Sequence, residues 1–332
     1  MTPRWHWDFE EIRPPRRPKP AASPAPAPAP EPAAPAAAAA GGQARIARFR
    51  RRRALAFAAL AALIALLIAL LSGPGHKTGT QRASAAQAEL ARARAQAHPA
   101  SEHENDQKGA VSSVLAYTPF VRSGGGRRRE VALTFDDGPG PYTPQVLGVL
   151  EHFHVHATFF AIGRMERYFS ASTTRAIEDG DAIGDHTEDH PALARLSRHD
   201  QREQLIEQIA RIELLGGKRP TLFRPPYGSF NATTLSELRS LHLLMVLWSL
   251  DTGDYLQPGV PAIVERALAG ARPGAIILMH DAGGVRTQTV AALPLIIRGL
   301  RARGYKIVTV PQMMMDDPPP RGEPVPSSLA GD

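Results

Sequence analysis

Between Glu130 and Met313, short apolar runs alternate with helical patterns, and that alternation restricts the chain to few architectures. The runs Glu130–Phe135, Ala157–Ala161, Ala182–Asp185, Leu222–Arg224, Leu243–Trp248, Ala275–Met279 and Lys306–Val310 have the length and composition of strands. Helical patterns fill the intervals near Tyr142–Phe153, Met165–Asp179, Asp200–Leu215, Asn231–Leu241, Val260–Ala269 and Thr287–Arg303. Seven β-α steps in about 180 residues predict an α/β fold with a parallel sheet, as a barrel or an open sheet. A full eight-fold barrel usually needs about 250 residues, so the expectation is a deformed barrel with fewer than eight strands.

The 332-residue chain is long enough for this domain plus extensions. Residues 1–53 are rich in Pro and Ala and end in an arginine cluster. Proline removes backbone donors and fixes φ, so a disordered cytoplasmic arm is expected. The next nineteen residues, 54–72, carry no charge, no Pro and no Gly. At about 1.5 Å per residue they span roughly 28 Å, close to a ~30 Å hydrocarbon core. They predict one transmembrane helix, contacting the lipid bilayer through 54–72. The preceding charged region is too long for a signal peptide, which favours an uncleaved anchor. Arginines before the helix place the N-terminus in the cytoplasm and the remainder outside the cell membrane. Residues 73–128 are expected to be a stem, 129–313 the catalytic domain, and 314–332 a disordered Pro-rich tail.

The formal net charge is +7, and much of it comes from the arginines beside the apolar run, so no nucleic-acid partner is expected. Arg127, Arg128 and Arg129 form a second basic run before the first strand. It reads as a solvated boundary, with attraction to an anionic wall polymer as the alternative. The chain has no cysteine, so any metal must be held by His, Asp or Glu. No obligate protein partner is evident.

Polar clusters punctuate the strand ends. Asp136 and Asp137 close the first run and Gly138-Pro139 turns the chain. His186 and His190 follow Ala182–Asp185, Arg224 and Tyr227 follow Leu222, Asp251 follows Trp248, and His280 follows Leu278-Met279. In a parallel barrel all five clusters share one face. Two histidines and a carboxylate suffice for a hydrolytic metal with an open position, and the spare carboxylate can act as base. The combination predicts metal-assisted hydrolysis.

This ordered set resembles the NodB-homology polysaccharide deacetylases, carbohydrate esterase family 4, over residues 129–313. The motifs are Thr134–Gly138, His186–His190, Arg224–Gly228, Asp251–Tyr255 and Leu278–His280. The resemblance implies a deformed (β/α) barrel and a divalent metal, usually zinc with Co2+, Mn2+ or Ni2+ as alternatives, on Asp137, His186 and His190. Asp136 would be the base acting on water, oriented by Arg224. His280 would be the acid for the leaving amine, oriented and charged by Asp251. Tyr227 would offer a backbone N–H to the oxyanion, and Trp248 and Leu278 would line the acetyl pocket. The implied substrate is an acetylated polysaccharide of the cell envelope, with peptidoglycan first. An O-acetyl esterase and an inactive glycan-binding protein are the alternatives.

Two departures and one rival remain. Tyr255 replaces the family's tryptophan, and Glu188 and Asp189 either tune the metal or face solvent. His152, His154 and His156 offer a second H-x-H metal pattern, but they precede a strand and so belong to the face opposite catalysis.

Overall fold

Every residue of the run Glu130–Asp136 is buried, which makes it a strand covered on both faces. The structure, a computed structural model, describes residues 103–326. The expected arm 1–53, the expected transmembrane segment 54–72 and the end of the tail, 327–332, lie outside the described residues. No helix among the described residues is long and apolar enough to cross a membrane.

A helix over residues 103–115 (α1) leads into β1 (Phe120–Val121), β2 (Glu130–Asp136), α2 (Thr143–Phe153), β3 (Thr158–Ala161), α3 (Gly163–Asp179) and β4 (Ala182–Asp185). There follow α4 (Arg198–Leu214), β5 (Leu222–Phe223), α5 (Ala232–Leu241), β6 (Leu244–Val246), β7 (Leu250–Asp251), α6 (Val260–Ala269), β8 (Ala275–His280), α7 (Thr287–Ala302), β9 (Lys306–Ile307) and α8 (Val310–Asp316). The strands run parallel in the order β1-β6-β5-β4-β3-β2-β8-β7, and β9 pairs with the start of β2. Only Leu247, Trp248 and Ser249 join β6 to β7, although these strands lie near opposite ends of the path. Such a link reaches about 14 Å at most. The sheet must therefore curl until its ends approach, which gives a deformed barrel.

The expectation of fewer than eight strands is corrected: the described residues form a nine-stranded sheet. The shortfall has a physical reason. β1 and β7, the two strands outside the expected runs, contain two residues each, too few to show an alternating pattern. β1 sits in the expected stem, and β7 lies just beyond the expected run Leu243–Trp248.

Side chains alternate across the sheet. Val131, Leu133 and Phe135 of β2 and Ala275, Ile277 and Met279 of β8 point outward, into a core shared with α2, α6 and α7. Ala132, Ile276, Phe160, Leu222, Leu244 and Val246 point into the barrel. There they meet Val111 and Val114 of α1 and Val310, Met313 and Met314 of α8. The interior is thus plugged by helices from both ends of the domain.

The stem boundary at 128 and the tail boundary at 314 both give way to packing. Residues 103–121 supply a helix and a strand to the fold. Asp317 is 2% exposed and binds the backbone N–H groups of Arg127 and Arg128, and the Tyr117 hydroxyl donates to Pro319 O at 2.7 Å.

Candidate active site

The pleat selects which residues of β2 face the barrel mouth. Ala132, Thr134 and Asp136 alternate onto the inner face, and Asp136 pairs in register with His280 at the end of β8. A carboxylate and an imidazole are thereby set on neighbouring strand ends. Continued pleating would turn Asp137 outward. Its φ of 73° interrupts the alternation and brings it beside the histidines. Thr187, His190 and Tyr227 also hold left-handed backbone, a strain that concentrates at this mouth.

The loop after β4 is fixed from within. Asp185 Oδ1 accepts from Thr187 N at 2.7 Å, and Thr187 Oγ1 accepts from His190 N at 2.9 Å. Nε2 of His190 lies 3.1 Å and Nε2 of His186 3.5 Å from Asp137 Oδ1. The outer ring nitrogens are engaged elsewhere: Nδ1 of His186 lies 2.7 Å from Arg224 O, and Nδ1 of His190 lies 3.1 Å from the Tyr227 hydroxyl. Those contacts leave both Nε2 atoms directed at Asp137. Burial pushes the Asp137 carboxyl up, but the charge of His190 and hydrogen bonds from both histidines overcome this and hold it well below the usual range. Burial lowers the pKa of His190, which favours the neutral imidazole that a metal requires.

Arg224 is fully buried. Its Nη1 donates to Asp136 Oδ1 at 2.7 Å and to Thr134 Oγ1 at 2.8 Å, and its Nε donates to Val246 O at 3.0 Å. Its guanidinium stacks on Phe160, 4.2 Å from the ring centre, with Trp248 at 5.7 Å. Asp136 Oδ1 is therefore committed to the arginine. Oδ2, 4.0 Å from His186 Nε2, faces the metal ligands.

The expectation that Asp251 orients His280 is corrected. Asp254 does so, with Oδ1 2.8 Å from His280 Nδ1 and Oδ2 accepting from His280 N at 2.9 Å. Thr289 donates to the same Oδ2 at 2.7 Å. Asp251 instead accepts from Gly253 N at 2.7 Å, which shapes the turn that delivers Asp254. Burial alone would lower the pKa of His280. The Asp254 carboxylate outweighs it and pushes the value up to about 9.

The remaining expected residues fall around this centre. Tyr227 is 41% exposed and lies edge-on to His190, with ring centres 4.6 Å apart. Tyr255 stands edge-on to His280 at 5.3 Å, which keeps an aromatic wall in place of tryptophan. Leu278 is buried on β8 two residues before His280, and Trp248 is half-buried beside Arg224. Glu188 turns inward, buried, and pairs with Arg167, whereas the half-exposed Asp189 pairs with Arg164. His152, His154 and His156 are exposed, and His154 ends α2 in left-handed backbone. Among the described residues the buried metal-competent group is Asp137, His186 and His190, and none of the three H-x-H histidines belongs to one.

The polysaccharide deacetylase profile matches residues 123–246. A peptidoglycan-N-acetylglucosamine deacetylase of Bacillus cereus is 37% identical over 196 residues, 58% of this chain and 71% of that protein. The chain belongs to the polysaccharide deacetylase family. A chitooligosaccharide deacetylase of Sinorhizobium fredii is 38% identical over 210 residues, 60% of this chain and 98% of that protein. The crystal structure of a peptidoglycan N-acetylglucosamine deacetylase superposes with a TM-score of 0.58 at 36% identity, covering 61% of this chain and 95% of that one.

In this deacetylase domain, sequence reasoning missed Asp254, Thr289 and Thr134. Asp254 lies inside the motif already singled out, Asp251–Tyr255, so a signal was present. Thr134 likewise opens the motif Thr134–Gly138, where the aspartates drew the reading, and Thr289 gave no signal, because a threonine in a helix is ordinary.

Proposed function

We propose that the chain is a metal-dependent hydrolase that removes N-acetyl groups from a cell-envelope N-acetylglucosamine polymer, with peptidoglycan as first substrate. The carrying observation is the register pair Asp136–His280 flanking the Asp137, His186 and His190 ligand set. Two imidazole nitrogens and one carboxylate oxygen, with the outer nitrogens already bonded, fit a tetrahedral divalent ion that keeps one open position. Zinc is the ion proposed, with Co2+, Mn2+ or Ni2+ as substitutes. Once bound there, it supplies a Lewis acid for the acetyl carbonyl and lowers the pKa of a bound water toward ~7.

The chain's own groups do the rest. Asp136 Oδ2 takes the proton of the attacking water, while Arg224 holds Oδ1 so that the carboxylate cannot rotate away. The Tyr227 backbone N–H faces the developing oxyanion. Asp254 holds His280 through Nδ1, which leaves Nε2 to donate a proton to the departing amine. Acetate and a free glucosamine amine result. Trp248 and Leu278 line the acetyl pocket, with Tyr255 beside His280.

The similarity to a chitooligosaccharide deacetylase supports a second reading, in which short soluble oligomers are the substrate. The uncharged run 54–72 supports placing the domain outside a membrane, close to the envelope polymer. Acetate release should be measured on peptidoglycan, chitin oligomers and O-acetylated xylan, with and without chelator. The proposal expects chelator-sensitive release from peptidoglycan that is abolished in Asp136→Asn. Absence of metal-dependent release from every N-acetylated glycan would defeat it, and release confined to xylan would mark an O-acetyl esterase.

A further inference from the structure

The basic run Arg127-Arg128-Arg129 plays no part in the site, and the fold gathers more cations around it. All strands are parallel, so residues that precede β2, β8 and β9 share the face opposite the catalytic mouth. That face exposes Arg127, Arg128 and Arg129 before β2, Arg272 before β8, and Arg303 and Lys306 around the start of β9. Contacts join them into one patch. Arg129 donates to Arg303 O and stacks on Tyr305, 4.8 Å from its ring centre, and the Tyr305 hydroxyl donates to Ala271 O at 3.1 Å. Arg298 and Arg301 extend the patch along the end of α7, and Arg321 extends it over Tyr117.

Few of these charges are neutralised. Arg129, Arg301 and Arg303 bond to backbone carbonyls, which leave the cationic charge intact. Glu130 and Asp317 are buried, and Asp317 serves Arg127 and Arg128. Lys306 lies 3.7 Å from Glu130 and 3.8 Å from Asp316, and Glu323 follows Arg321 in the chain. Exposed acids at this end of the barrel such as Glu151, Glu178 and Asp179 lie at the ends of α2 and α3, whereas the cations gather around the starts of β2, β8 and β9. A patch that gathered substrate would ring the mouth, yet this one lies at the other end of the barrel. The chain also enters the domain on this side: Glu104, at the start of α1, pairs with Lys218 at 2.6 Å in the loop before β5.

We infer that this basic face docks on an anionic lipid surface and holds the catalytic mouth pointing away from the bilayer. Each Lys or Arg within a Debye length, about 8 Å at physiological salt, adds to such attraction. The inference is independent of the deacetylase chemistry and of whether 54–72 spans the membrane.

The chain lacks cysteine, so single labels are straightforward. Ala302→Cys would report the basic face and Val285→Cys, 48% exposed in the wild-type loop after β8, the catalytic face. The labelled full chain would be bound to phosphatidylcholine vesicles with or without phosphatidylglycerol, and energy transfer to a headgroup acceptor measured. The expected result is severalfold greater transfer from position 302 than from 285 on anionic vesicles. The difference should shrink on zwitterionic vesicles, in high salt, and in Arg128→Glu/Arg272→Glu. The salt series uses the unreversed chain, so misfolding of the charge-reversed variant cannot mask the outcome. Equal transfer from both positions, or indifference to phosphatidylglycerol, would overturn the inference. So would preferential binding of soluble poly(glycerol phosphate) with vesicles unaffected, which would assign the face to a wall polymer.

Discussion

At the scale of single residues, the site works by dividing each polar side chain between a structural bond and a chemical one. Asp136 gives Oδ1 to Arg224 and keeps Oδ2 for water, and His280 gives Nδ1 to Asp254 and keeps Nε2 for the leaving amine. Asp254→Asn should therefore lower kcat at least a hundredfold and move the alkaline limb of the kcat profile well below about 9, with Asp251→Asn milder. The equivalence of the two aspartates would refute this assignment. Stability follows with a definite sign. His280 has its folded pKa raised, so its contribution is full below about 6.5 and is lost as pH rises through about 9. In chelated protein the urea midpoint should fall between pH 6 and pH 9.5, and less so in Asp254→Asn. Tyr227 offers a separate test through the hydroxyl 3.1 Å from His190 Nδ1. Tyr227→Phe should weaken zinc binding about tenfold by competition with a chelating dye, while thermal stability changes little.

At the scale of elements, local signals fixed the longer pieces. β2, β8 and the helices from α2 to α7 fall close to their expected bounds, because hydrophobic period and end signals agree. Helix α5 shows why its start was legible: Asn231 accepts from Thr234 N at 3.0 Å, and Thr234 Oγ1 accepts from Asn231 N at 3.1 Å. Asn231→Ala should cost about 1 kcal/mol, read as a lower denaturant midpoint with an unchanged m-value. The two-residue strands β1 and β7 were not legible, since they exist only through pairing with distant partners. Lys306–Val310 illustrates the limit: it was expected to be one strand, but only Lys306–Ile307 pairs. The Thr309 hydroxyl then accepts from Gln312 N at 3.3 Å and starts α8.

At the scale of the whole molecule, closure depends on segments that composition assigned to linkers. Asp317 ties the chain after α8 to the residues before β2 through three hydrogen bonds. Backbone and arginine donors overcome the cost of burial and depress its pKa, so its contribution is present above about 3.8 and is lost as pH falls further. Asp317→Asn should lower the melting temperature at pH 7 and leave much less difference near pH 3. A constant difference between the two pH values would argue against the charge. By itself, the sequence determined the order of the longer strands and of the helices α2 to α7, the five polar clusters and their common face, because chain direction in a parallel sheet puts every strand end on one side. It also set the donor types that fit a metal. Only the tertiary structure decided that Asp254 rather than Asp251 grips His280, and that residues 103–121 and 317–319 belong to the fold. Those outcomes turn on backbone direction at single residues and on contacts between segments about 200 positions apart, which no local pattern encodes.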